Sequence, residues 1–332
     1  MADLLHSSAA ETLLEGKAPT AEEVNTLIGQ LRYLHRCTPD DLTDQTRDLG
    51  LLPLAGGHHN RVYRWDRLGG PVCVKLYKVD ERDRAGTEWR ALTHMVDHHA
   101  PGVPAPLWFA PDSAQPAAVM TMVPGRSLLT AEQPETAVLA MAPVLHALRS
   151  IPLGPFARKP RNGTAQRYIN RLVDTWGPEL KEHDHDPMAR DLLRLLQHWL
   201  DGDDQETLAR PATAVFSHGD GNLGNWHLEH NTDTAHVVDF EFAGYSDPAF
   251  DAADLIEHIS SHPIPDDAWN ALLPSFGIDD AITQHRFRAA QRTCALRWLR
   301  SMWKQKATRT EEFHHQLDRV RRLTHKLETA HN

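Results

Sequence analysis

Cysteine is scarce in this chain of 332 residues: Cys37, Cys73 and Cys294 stand far apart, are odd in number and include no C-x-x-C. That spacing indicates neither a disulfide framework nor a zinc knuckle, and a reducing cytoplasm is the simplest compartment. No apolar run approaches the ~18 residues needed to span a bilayer, and the opening residues lack a basic segment ahead of an apolar one. Membrane insertion, membrane partners and secretion are therefore not expected. Positive charge is not in excess, because 35 Lys and Arg against 45 Asp and Glu leave a formal net charge of −10. A polyphosphate backbone needs clustered cations, so general nucleic-acid binding is not expected and cationic small molecules suit the balance better. Internal repeats and low-complexity linkers are missing as well. What is present, 41% hydrophobic and 24% charged residues, is ordinary globular usage in a chain long enough for two structural units.

The chain reads as three stretches. Residues 1–48 form a helical extension, with Thr20 and Glu23 as a capping box and Val24, Leu27, Ile28, Leu31 and Leu34 on one face. Over residues 49–124 the pattern changes to short strands: LLPLAGG, NRVYRWDRL, a GGP turn, and VCVKLYKV, in which Val72, Val74 and Leu76 alternate with Cys73, Lys75 and Tyr77. A helix over 82–98 stops before Pro101, and a strand over 117–123 ends at Pro124-Gly125. Residues 125–332 are mostly helical. There Thr130 and Gln133 are expected to open a capped helix carrying Val138, Met141, Leu145 and Leu148, and short strands interrupt the helices over 214–240.

The chemistry concentrates in FSHGDGNLGNWHL (216–228) and HVVDFEFAGYSDPAFDAADL (236–255). Each begins with an apolar strand that ends in polar residues. His218-Gly219-Asp220 puts a carboxylate just after a strand, and Asn225 follows five residues later in the same loop. Asp239 returns to that place if the two strands pair as a hairpin. A carboxylate and an amide oxygen converging in this way suit Mg²⁺, which takes hard oxygen ligands alongside water and substrate phosphates. Asp220 is then left to accept a proton from a substrate hydroxyl. Phosphoryl transfer also needs a cation on the phosphates and a group that positions it. Lys75 in mid-strand, with Glu88 on the next helix, supplies that pair. Gly56 and Gly57, in the turn before them, offer backbone N–H groups to phosphates.

These residues resemble the aminoglycoside phosphotransferase and choline kinase family, the small-molecule branch of the protein-kinase-like fold. His218, Gly219, Asp220 and Asn225 fit its His-Gly-Asp-x-x-x-x-Asn loop. Val238, Asp239 and Phe240 fit its metal-binding strand end, and Asp247, Pro248, Asp251 and Ala253 fit its Asp-Pro-x-x-Asp-x-Ala helix opening. The resemblance implies an α+β, two-lobed protein-kinase-like fold, with a small antiparallel sheet in the N-lobe and a mostly helical C-lobe. It implies Asp220 as catalytic base, Asn225 and Asp239 as Mg²⁺ ligands, and Lys75, anchored by Glu88, on the phosphates of ATP or GTP. The base is expected between the lobes against residues 120–123, with Met120 and Met122 beside it. The acceptor is an aminoglycoside-like or other antibiotic or natural product. Choline, thiamine or amino-sugar kinases and a catalytically silent nucleotide-binding regulator are the alternatives. The chain departs from protein kinases in lacking GxGxxG, in Gly219 where they have Arg, and in Glu241 where they have Gly.

Other features have structural readings. Glu81 competes with Glu88 as partner of Lys75. Asp251 and Asp254 read as helix residues bracing the catalytic loop. The HDHD run at 183–186 has no second ligand group at zinc spacing. Phe287, Ala290, Cys294, Trp298 and Met302 follow one helical face as core, while Arg292, Arg297, Arg300 and Trp303 are candidates to line a substrate pocket.

Overall fold

A computed structural model describes residues 18–37, 43–54, 60–111, 114–229 and 233–330. They divide into two compact units, Met1–Pro124 and Gly125–Asn332. In the first unit, helix α1 (Ala21–Cys37) opens with the expected capping box: Thr20 Oγ1 accepts from the Glu23 N–H at 3.2 Å, and Glu23 Oε2 accepts from the Thr20 N–H at 2.7 Å. After a short helix, α2 (Thr43–Asp48), come β1 (Leu51–Pro53), β2 (Arg61–Trp65) and β3 (Val72–Leu76), then α3 (Arg84–Asp97), β4 (Pro106–Ala110) and β5 (Ala117–Thr121). The five strands form one antiparallel sheet in the order β1-β2-β3-β5-β4. Val24, Leu27, Ile28 and Leu31 of α1 bury one sheet face together with Leu51, Tyr63, Val72, Val74, Leu76 and Val119. The alternation read from β3 is therefore the alternation of the sheet's two faces.

Two features of this unit differ from the sequence reading. β4 was not anticipated, because its first residue, Pro106, follows a proline-rich run. It is the edge strand, where a missing N–H costs no ladder bond. β5 ends at Thr121, so Met122 lies just beyond it rather than within it. Gly56 and Gly57, and the helix expected over the first 17 residues, lie outside the described residues.

The second unit begins with β6 (Arg126–Ser127). Its principal helices are α4 (Ala142–Ser150), α5 (Ala165–Asn170), α6 (Pro187–Asp201), α7 (Asp204–Ala209), α8 (Pro248–Ile256), α9 (Ala281–Trp303) and α10 (Thr310–Ala330). Val138, Met141, Leu145 and Leu148 are buried as expected, but not on one continuous capped helix. A helical segment opens at Pro134, with Gln133 giving no side-chain cap. A 3₁₀ turn over Val138–Met141 then leads into α4, while the Thr130 hydroxyl bonds to the Ser127 carbonyl. Pro143 in the first turn of α4 has no N–H to continue a helix through this point. The strands are β7 (Val215–Ser217), β8 (Trp226–Glu229), β9 (Thr234–Val237) and β10 (Gly244–Ser246). They form a three-stranded sheet, β6-β8-β9, and a pair, β10-β7. Among the described residues, no helix is long and apolar enough to cross a membrane.

The C-terminal helix is tied in by a buried glutamate and a histidine. Glu257 accepts from Arg319 Nη2 at 2.6 Å and from Gln291 Nε2 at 2.8 Å, and His262 Nε2 donates to Gln316 at 2.7 Å. Burial holds His262 at about 4, well below the usual imidazole value of 6.5. The folded protein keeps this ring neutral where the unfolded chain would take up a proton. Its contribution to stability is thus complete above pH ~6.5 and lost as the pH falls toward 4. The drop in melting midpoint from pH 7 to pH 5 is expected to be smaller in His262→Gln than in the parent, as thermal scans at both pH values will show.

Candidate active site

In the N-terminal unit the structure pairs Lys75 with Glu88, not with Glu81. Lys75 Nζ donates to Glu88 Oε2 at 2.6 Å, and the Tyr77 hydroxyl donates to the same oxygen at 2.7 Å. Lys75 is 4% and Glu88 1% exposed. Lys75 points away from the face that α1 covers, because its neighbours Val74 and Leu76 take that face. A buried ion pair gives little net stability over apolar residues of the same size. What this one does is hold an ammonium in one place. Met120 is buried on β5, opposite Cys73 of β3.

In the C-terminal unit, β7 delivers the His218-Gly219-Asp220 turn. Gly219 has φ +85°, and a Cβ there would lie 2.0 Å from the Phe242 carbonyl oxygen, so glycine is required. His218 Nε2 bonds to the Val238 carbonyl at 2.8 Å, and Nδ1 contacts the Asp220 backbone, 3.0 Å from its carbonyl oxygen and 3.3 Å from its nitrogen. With both nitrogens engaged and its ring edge-on to Phe240, His218 shapes the loop. Asp220 Oδ1 accepts from the Asn222 N–H and Oδ2 from Asn225 Nδ2, both at 3.1 Å. The carboxylate is oriented from two sides. Gly221 passes so close to α8 that a Cβ would sit 2.4 Å from the Asp254 carbonyl oxygen.

Asp239 reaches this region by a route other than the expected one. β7 pairs with β10, not with the strand before Asp239, and the hairpin is β8–β9, which begins directly after Asn225. The Val238 N–H donates to the Asn225 carbonyl at 3.0 Å, so Asn225 and Asp239 meet at the open end of that hairpin. Asp239 itself has φ +72°. A left-handed non-glycine residue costs about 1–3 kcal/mol and marks a backbone bent to aim a side chain.

One residue supporting the loop was not foreseen. Arg161 is 4% exposed; it donates to the Gly219 carbonyl at 3.0 Å and to Asp251 at 2.7 Å, and it pairs with Asp254. The Tyr168 hydroxyl donates to the other Asp254 oxygen at 2.9 Å. Burial pushes Asp254 up, but the Arg161 and Arg297 guanidinium groups, the Tyr168 hydroxyl and His258 together outweigh it and hold the carboxyl below its usual range. Asp251 and Asp254 thus brace the Asp220 loop through Arg161, and Asp247 caps α8 by accepting from the Ala249 N–H. No sequence signal marks Arg161, which lies 58 residues before the carbonyl it holds. Of the pocket candidates on α9, Arg292 is buried against Asp204 and Trp303 packs on Phe313, so both serve the core.

Residues 50–290 match the Phosphotransferase enzyme family, APH. A search of curated proteins gave no match. Among solved structures, a thermostable mutant of aminoglycoside phosphotransferase APH(4)-Ia, in complex with AMP-PNP and hygromycin B, is similar with TM-score 0.59 and 15% identity. The likeness covers 89% of this chain and 97% of that one. Aminoglycoside phosphotransferase APH(3'')-Id from Streptomyces rimosus is similar with TM-score 0.52 and 21% identity, over 77% of this chain and 96% of that one. The shared architecture is the α+β, protein-kinase-like fold, here a small antiparallel sheet unit and a mostly helical unit. With the family match covering the Lys75–Glu88 pair, the Asp220 loop and Asp239 alike, the chain belongs to the phosphotransferase enzyme family and is a small-molecule kinase.

Proposed function

We propose that this enzyme transfers the γ-phosphoryl group of ATP to a hydroxyl of an antibiotic or other natural product, with Asp220 as general base. The observation that carries the reading is the Asp220 carboxylate, held by Asn222 and Asn225 at the end of a braced loop. The N-terminal unit binds the nucleotide and the C-terminal unit the acceptor. ATP as donor is supported by AMP-PNP and ADP in solved structures of similar fold. A cytoplasmic setting agrees with three cysteines that stand far apart in the sequence without a C-x-x-C.

Lys75, fixed by Glu88, takes the charge of the nucleotide phosphates. Asp220 draws the acceptor hydroxyl into line and receives its proton as the new O–P bond forms and the bond from the γ-phosphorus to the ADP oxygen breaks. The donor set fits Mg²⁺: Asp239 is a carboxylate aimed by a strained backbone. The Asn225 side chain gives its N–H to Asp220 and leaves its oxygen without a partner among the described residues. When bound there, the ion supplies neutralisation of phosphate charge.

Two substitutions test these roles together. Lys75→Ala is expected to weaken ATP binding by at least about tenfold in calorimetry, the order of one charge-assisted contact. Asp239→Asn is expected to abolish Mg²⁺-dependent turnover, because a neutral amide holds a hard divalent cation far less strongly than a carboxylate does. ATP affinity indifferent to Lys75→Ala, or near-normal activity of Asp239→Asn at limiting Mg²⁺, contradicts the assignment.

A further inference from the structure

Three arginines gather beside the catalytic loop in the C-terminal unit. The Leu223 N–H of the loop donates to Ser260 Oγ at 2.9 Å, and that hydroxyl donates to His258 Nδ1 at 2.7 Å. His258 lies within charge range of Asp220, and its ring stands edge-on to Trp298 at 4.5 Å. The Arg297 guanidinium lies 3.8 Å from the Trp298 ring centre and 5.1 Å from that of Tyr168. Arg300, one turn on, is within charge range of Arg297 and Arg171. Arg171 begins a π-helical turn, Arg171–Trp176, that continues α5, a geometry concentrated at functional sites. From Leu223 of the loop a path of contacts thus runs through Ser260, His258 and Trp298 to a cluster of guanidinium groups.

This cluster is only partly neutralised from within: the Asp254 carboxylate lies within charge range of Arg297, and Glu179 within that of Arg300. Among the described residues, Arg171, Arg297 and Arg300 form no ion pair. The nearby carboxylates are engaged, Asp254 by Arg161 and Tyr168, and Glu179 by Lys304 at 3.4 Å. Arg297 Nη1, Arg300 Nε and Trp298 Nε1 are buried atoms with no hydrogen-bond partner. Buried donors are almost always satisfied, so three orphans within four consecutive residues of α9 are costly unless a ligand completes them. Burial, with the Arg171 and Arg297 charges, pulls Arg300 below the usual arginine value, against Glu179. A polycation would meet repulsion here.

We propose that the acceptor carries an anionic group, a carboxylate or phosphate monoester, which Arg297 and Arg300 bind while the Trp298 indole N–H donates to it and Asp220 takes the acceptor's hydroxyl. The proposal rests on the kinase reading and narrows it. Natural products bearing an acid are favoured over choline and over polycationic aminoglycosides, because a guanidinium fork matches a carboxylate or phosphate in charge and geometry.

The test uses one scaffold in three charges: 4-(hydroxymethyl)benzoate, its neutral amide, and 4-(hydroxymethyl)benzylamine, with inorganic phosphate as a second anion. Binding to the full chain without nucleotide is measured by calorimetry, and ADP release with ATP and Mg²⁺ by a coupled assay. The benzoate and phosphate are expected to bind at least about tenfold more tightly than the amide, and the amine least. That preference should fall by about tenfold in Arg300→Gln and in Arg297→Gln, and recover in part in Arg297→Lys, with ATP affinity unchanged. Arg297 packs on two rings, so Arg300→Gln, at the edge of the cluster, is the variant that tests the charge if Arg297→Gln unfolds. Equal binding of anion and amide, tighter binding of the amine, or an anion preference untouched by Arg300→Gln overturns the proposal. Lack of acceptor-dependent ADP release bears on the kinase reading instead, because the calorimetry decides the anion site without turnover.

Discussion

Replacing Asp220 with asparagine is expected to lower turnover by about 10²–10⁴-fold while leaving ATP affinity nearly intact. The carboxylate accepts from Asn222 on one oxygen and from Asn225 on the other. An asparagine keeps one of these bonds and must turn its own N–H₂ toward the second donor, so the loop loses order as well as its base. The proton of the acceptor hydroxyl then has no receiver in the aligned position. Steady-state turnover with a confirmed acceptor, alongside calorimetry with ATP, checks both halves. A variant within a few-fold of the parent makes Asp220 a brace and moves the base elsewhere.

The second large effect is on folding. Arg161→Met removes the guanidinium that neutralises Asp254 and Asp251 and holds the Gly219 carbonyl. Breaking a buried pair leaves uncompensated charge and costs about 3–5 kcal/mol, which for a unit of this size lowers the melting midpoint by roughly 10 °C. Adding Asp254→Asn to the same chain removes one of the stranded charges and keeps an acceptor for the Tyr168 hydroxyl. The double variant is expected to be more stable than Arg161→Met alone, since neighbours in one network do not add. Urea unfolding of the three proteins measures this, and a loss near zero for Arg161→Met contradicts the bracing role.

What the sequence revealed and what it hid follow the distance over which each feature is encoded. The capping box of α1, the alternation of β3 and the Asp220–Asn225 loop are set by residues within a few positions of one another, and they stand as read. Glu88 could be told from Glu81 only by the fold, which turns α3 so that Glu88 meets Lys75. Asp239 was returned to Asn225 through the wrong strand pairing, because apolar strands of similar length do not announce their partners. β4 was hidden by prolines that are harmful in a central strand and tolerated at an edge. Arg161 was hidden by separation: a lone arginine in a loop carries no mark of two carboxylates about 90 residues away. The arginines of α9 looked alike in sequence, and tertiary structure divides them. Arg292 is spent on Asp204, while Arg297 and Arg300 keep unmatched donors.

The central claim is transfer of a phosphoryl group to a small-molecule hydroxyl. Incubation of the purified chain with γ-labelled ATP, Mg²⁺ and a panel of hydroxylated natural products, acidic, neutral and basic, followed by ³¹P NMR of the products, tests it most directly. The account predicts a new phosphate monoester signal on one class of acceptor, formed in step with ADP and missing when Asp220→Asn replaces the parent. ATP that binds and is never transferred to any acceptor, or a monoester formed equally well by Asp220→Asn, would contradict it.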